Sequence, residues 1–197
     1  MKTLVGLLAI TVMTASLSVG PTARGRQAAA PAAGAGQDAA AGPVANPVST
    51  TVKGQLARFQ KNMVGAAELM PAEKYGFKPT AEMNTFGHVV MHIAQSNYSL
   101  CSKLSGQAAP DTKLAETDGK DKLLAGLKDS FAFCTTVLAN ADDAKLGEQI
   151  PLFGGRMASR AAAWIALSDG WNDHYGALAV YLRLNGILPP TAQPASH

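Results

Sequence analysis

Only two cysteines occur in the 197 residues, too few for a disulfide-dense scaffold or a four-cysteine zinc site. Charged residues make up 16%, against roughly 25% in an ordinary soluble protein. Aromatics are 6%. A formal net charge of +3 is too small for a nucleic-acid binder whose affinity rests on neutralised phosphates. Beyond the N-terminal end, no apolar run approaches the roughly 20 residues of a membrane span. Alanine is what the chain has in quantity, with 36 residues. This composition implies a small soluble protein with an alanine-rich, helical core.

The N-terminus reads as an address followed by a spacer. Lys2 precedes an uncharged, largely apolar run from Leu4 to Val19, and small residues and Pro21 follow. That is the pattern of a secretory signal, with cleavage after Ser18 or after Ala23. The domain plan is therefore a signal peptide over 1–23, a linker over 24–48, a bundle over 49–190 and a tail over 191–197. No cysteine follows the apolar run, so a lipid anchor is not expected. Residues 21–47 hold 11 Ala, 4 Gly and 4 Pro and offer almost nothing large to bury, which predicts a disordered tether. From Ser49 onward there are 14 Lys+Arg and 13 Asp+Glu, so the folded part is nearly neutral. The expected location is periplasmic or secreted, with no membrane contact after cleavage and no nucleic acid as partner.

The remainder predicts four helices. The first runs from Ser49 or Thr50 to Leu69, with Val52, Leu56, Phe59 and Met63 at helical spacing. The second runs from an N-cap at Thr80 to about Leu104, and Gly106 and Pro110 end it. The third covers about Thr117 to Ala139. The fourth covers about Arg156 to Leu184, with Ala163, Leu167, Gly170, His174, Leu178 and Tyr181 on one stripe, and it closes at Asn185-Gly186. No segment alternates as a strand. The fold class is an all-α four-helix bundle.

Cys101 and Cys134 test the topology. In a simple antiparallel hairpin of the second and third helices, the two thiols would differ in height by about 20 Å. Parallel helices joined by a crossover would bring them level, and the link from Ser105 to Glu116 can span about 40 Å when extended. The pair is then either a disulfide, as an oxidising compartment favours, or two buried thiols.

Three histidines are candidates for chemistry. His88 and His92 stand four apart on the second helix, and His174 lies on the stripe of the fourth; the helical spacing points all three inward. His197 belongs to the tail. Imidazoles on facing helices can share a divalent ion, or can be satisfied by nearby hydroxyls such as Tyr98 and Tyr181. Arg160 and Arg183 read as structural or surface charges, and Trp164 and Trp171 as packing. Gly154-Gly155 is not a phosphate loop, since the rest of that motif is missing.

The run Thr85-Phe86-Gly87-His88-Val89-Val90-Met91-His92-Ile93-Ala94, with Asn97-Tyr98 and Cys101, resembles the second helix of the DinB/YfiT-like superfamily. Asn172-Asp173-His174-Tyr175-Gly176, Tyr181-Leu182-Arg183-Leu184-Asn185-Gly186 and Pro189-Pro190 resemble its last helix. The resemblance spans about Thr50 to Pro190. It implies a four-helix bundle with a crossover between helices 2 and 3, and a divalent metal (zinc, nickel or manganese) held by three histidines. One of these matches His92. The other two form an H-x-x-x-H on the last helix, whose later member matches His174. The earlier one falls on Gly170. Three readings stay open: a metal held by His88, His92 and His174; a two-histidine site completed by water; or no metal. Asp169 and Asp173 are poorer candidates, turned from His174 by roughly 140° and 100°.

The resemblance permits a metal-dependent hydrolase or a thiol-dependent transferase or isomerase acting on an unidentified small molecule. Export weakens the thiol-dependent class, because low-molecular-weight thiols are mainly cytoplasmic. The alternative is a non-catalytic bundle that binds a ligand or a protein after losing the metal site. Apolar outer helix faces are compatible with a homodimer.

Overall fold

The computed structural model describes residues 42–194. The expected signal peptide and residues 24–41 of the expected linker lie outside the described residues, as does His197. Four helices dominate: α1 (Pro47–Leu69), α2 (Phe86–Ser105), α3 (Lys120–Leu138) and α4 (Arg160–Leu184). Each of the four expected helices is present, and the boundaries differ for identifiable reasons.

Helix α1 starts at Pro47, inside the expected linker, because proline's missing N–H and fixed φ suit the first helical position. Its free N–H groups are not capped locally. The Asp143 carboxylate accepts from Val48 N at 2.9 Å and from Ser49 N at 2.8 Å. The cap of α2 is Thr85, whose hydroxyl accepts from His88 N at 2.9 Å, and not Thr80. The reason lies in the preceding loop, which folds back so that its carbonyls take the first N–H groups of the helix. Phe86 N donates to Phe77 O at 3.0 Å and Gly87 N to Tyr75 O at 2.8 Å. Residues 80–84 are thereby drawn into a turn.

The pairing of residues fixes the directions. Asn97 bonds Ser130 and Cys101 bonds Cys134, so α2 and α3 run parallel. Gln55 meets Ser168 and Phe59 meets Trp171, so α1 and α4 also run parallel. His92 faces His174 and Leu104 O accepts from Arg160, so α2 and α4 are antiparallel. Helix α1 packs on α4 and α3, and α2 packs on α3 and α4. The link between α2 and α3 is therefore a crossover that returns along the bundle. Leu114 in this link presses on Gly126 of α3, where an added Cβ would lie 2.5 Å from Leu114 Cδ1.

Of the two states left open for the cysteines, the structure has the disulfide, with Cα atoms 5.3 Å apart. Cations from neighbouring helices close three C-termini. Lys120 Nζ donates to Glu68 O and Met70 O of α1's end, Arg160 to Lys103 O and Leu104 O of α2, and Lys53 to Ala139 O and Ala141 O beyond α3. Each satisfies orphan carbonyls at the negative end of a helix dipole. Arg160 is thus structural, as expected, and Arg183 bonds only its own helix at Ala179 O.

The expectation of no strand needs one correction. Between α3 and α4, β1 (Gln149–Pro151) and β2 (Met157–Ser159) pair antiparallel, with Ile150 opposite Ala158. Three residues per strand are too few to show alternation. At the hairpin tip Gly154 and Gly155 have φ of 63° and 75°, a backbone that favours glycine.

The core is filled by Met63, Phe86, Phe131, Trp164, Trp171 and Leu178, all fully buried. Both tryptophans are packing residues. Among the described residues, no helix is long and apolar enough to cross a membrane.

Candidate functional site

Of the stripe predicted for α4, Ala163, Leu167, Leu178 and Tyr181 are buried, while Gly170 and His174 are only partly so. Trp164 and Trp171 take the bundle centre, where Trp171 contacts Phe59 and Phe131. Two indoles carry far more apolar surface than Gly170 and His174, so burying them turns those two residues onto the flank of the helix. The histidines therefore do not point into a sealed interior, as expected, but line the seam between α2 and α4. His92 is exposed, and the His174 side chain retains 21% of its exposure. Because α2 starts at Phe86, His88 sits in its first turn.

Along this seam two of the three candidates meet. The His92 and His174 rings are 4.9 Å apart between centroids and edge-to-face, at 77°. His88 is not part of that encounter. Its ring stacks 6.3 Å from His92, and its Nδ1 lies 2.6 Å from Glu116 Oε2 in the crossover. Asp173, expected to turn away, reaches back from its exposed position so that Oδ2 is 3.3 Å from His174 Nδ1. Among the described residues, no group of three or more His, Cys, Asp or Glu side chains is placed to hold a metal ion.

Burial disfavours the charged imidazole, and this pushes the pKa of both rings below the ordinary value of 6.5. Proximity to His88 adds to the effect at His92. Proximity to His92 adds to it at His174, while the Asp173 carboxylate acts the other way.

The ring pair separates two recesses. One, of about 130 Å³, is walled by Ile93, Leu100, Leu167 and Trp171, with Ser96, Asn97, Gly170 and Phe153 completing it. The other, of about 380 Å³, is lined by His88, Glu82, Asp173 and Tyr181 among others. Gly170 opens the first. A Cβ there would meet nothing within 4 Å.

Sequence reasoning missed Ser96 and Phe153, and did not see what Asn97 does. Asn97 is buried and ties three helices together. Its Oδ1 accepts from Trp171 Nε1 at 2.8 Å, and its Nδ2 donates to Ser130 Oγ at 3.0 Å. A buried asparagine on an apolar helix face was the available signal. Ser96 Oγ lies 3.4 Å from His92 Nε2.

The model of the DinB superfamily matches residues 55–174. That match takes in α2, the crossover, α3 and α4 as far as His174. The chain belongs to the DinB superfamily. The DinB-like architecture recurs in solved structures. A DinB-like protein from Bacillus subtilis superposes with a TM-score of 0.59 at 21% identity, over 74% of this chain and 99% of that one. A DinB-like protein from Bacillus cereus gives 0.57 at 17% identity, over 72% and 95%. A histidine-to-alanine mutant of mycothiol-dependent maleylpyruvate isomerase gives 0.53 at 14% identity, over 66% and 60%. At these identities the likeness is one of fold. No curated protein matches the chain.

Proposed function

We propose that this DinB-family bundle has lost the three-histidine metal centre implied for its relatives and binds a small molecule at the seam between α2 and α4. The observation that carries this reading is the donor set. His92 and His174 converge, Gly170 stands where the resemblance implies a third imidazole, and the Nδ1 of His88 is engaged by Glu116. Two imidazoles fall short of the three protein ligands usual for a catalytic divalent ion. In place of the third ligand the chain has space, continuous with an apolar recess. A concave, mostly apolar site with a few convergent polar groups is what small ligands use.

A second reading is favoured by the ring geometry. Rings 4.9 Å apart with pKa values pushed below the ordinary one favour the neutral form that coordinates metal, so His92 and His174 would hold zinc, nickel or manganese together with solvent. Such an ion would supply Lewis acidity or an activated water, as a hydrolase or thiol-dependent transferase requires.

Metal analysis of protein purified without an affinity tag, from cells supplemented with zinc, nickel and manganese, separates the two. The first reading predicts metal content well below one equivalent after dialysis. A stoichiometric metal that disappears in His92→Ala would overturn it.

The apolar leader and the Cys101–Cys134 disulfide support export to the periplasm or medium. N-terminal sequencing of protein recovered from those fractions checks this. A chain found only in the cytoplasm, still beginning at Met1, would contradict it.

A further inference from the structure

The smaller recess has a size and a lining that together select a ligand. Its volume of about 130 Å³ is close to the ~150 Å³ of an apolar cavity that accepts one benzene-sized ring. Its apolar lining includes Trp171, Leu167, Ile93 and Leu100. Polar groups gather at one corner, where His92 and His174 meet and Ser96 Oγ stands 3.4 Å from His92 Nε2.

No lysine or arginine lines the recess. A carboxylate would find no cation there and would lose its hydration. Imidazole and serine side chains both donate and accept hydrogen bonds, which matches a hydroxyl.

Phe153 lines the recess, yet 54% of it is exposed. It sits on the hairpin tip beside Gly154 and Gly155, two positions with positive φ, and Met157 across the hairpin is exposed as well. An exposed phenyl ring lining an apolar recess gains burial when a flat ligand enters beside it.

We propose that this recess binds a single-ring hydroxyarene, with its ring beside Phe153 and Trp171 and its hydroxyl at the His92–His174 corner. Phe153 sets the preference for a flat ring. The proposal rests on reading the seam as a small-molecule site.

The probe is phenol, with toluene and benzoate as comparisons, titrated into the full chain with and without a chelator. The readout is the indole N–H resonance of Trp171. Phenol is expected to shift it saturably, and toluene to bind about tenfold more weakly for want of a hydrogen bond. Phe153→Ala is expected to weaken phenol binding about tenfold while leaving the melting temperature unchanged, and Phe153→Leu to restore part of it. Gly170→Phe, which fills the recess from an open position, is expected to abolish binding.

Toluene or benzoate binding as tightly as phenol would overturn the ligand class. Phenol binding unchanged in Phe153→Ala would overturn the role of Phe153. Absence of phenol binding in metal-free protein would sink the ligand proposal while leaving the lost metal centre standing. Stoichiometric metal, with phenol binding abolished by the chelator, would overturn the metal-free site proposed here along with the reading beneath it.

Discussion

At position 170 a hydrogen atom faces open space, and four residues later His174 faces His92. The proposed reading of the seam turns on this pair of positions. Both imidazoles are pushed below their ordinary pKa, so the folded protein takes up these protons less readily than the unfolded chain. The contribution to stability is then fully present above pH 6.5, and it is lost as pH falls from there toward the depressed folded values. A melting temperature lower at pH 5.5 than at pH 7.5 is expected, with a smaller difference in His174→Gln. An unchanged difference in that variant would assign the pH dependence to other groups. That His92 and His174 lie on facing helices was legible in the sequence, and the structure brings their rings together. Their exposure was not. A helical stripe that includes Gly170 and His174 ignores that Trp164 and Trp171 have more surface to bury and so take the centre beside Leu167. Nor could spacing along one helix reveal that Glu116, in a distant loop, holds His88.

Among the elements, helices were legible because apolar residues recur at helical spacing over some twenty positions in each. The hairpin was not, since its strands have three residues each. The cap of α2 was misplaced because the competition between Thr80 and Thr85 is decided by carbonyls of Phe77 and Tyr75 that only the folded loop brings into range. The cysteines alone left the pairing of α2 and α3 open and the family resemblance implied the crossover; the disulfide fastens the two helices across a separation of 33 residues. For a loop of that length, chain entropy gives a stabilisation of about 3–4 kcal/mol. Cys101→Ser with Cys134→Ser is expected to lower unfolding free energy by about that amount in denaturant titration. A change below about 1 kcal/mol would mean that residual structure in the unfolded chain already holds the two segments close. Asn97 adds a polar tie at the same level. Its bond to Trp171 holds part of the recess lining in place.

On the scale of the whole molecule, the bundle is a frame with two parallel pairs of helices, and the seam between α2 and α4 is where its polar groups meet an open recess. The crossover contributes more than connectivity. It delivers Glu116 to His88 and Leu114 to Gly126, so the same segment that makes the topology also engages one nitrogen of an imidazole that lines the seam. The account therefore predicts a scaffold that can still accept the missing ligand. Gly170→His adds a side chain where a Cβ meets nothing, one turn from His174. The most direct test is a zinc titration of wild type and Gly170→His, followed through the imidazole nitrogen resonances. In the wild type, one equivalent of zinc is expected to leave His92 and His174 largely unshifted, and His88 with them. In Gly170→His, the same addition is expected to move His92, His174 and the new imidazole together. Stoichiometric displacement of His88, His92 and His174 in the wild type would contradict the account.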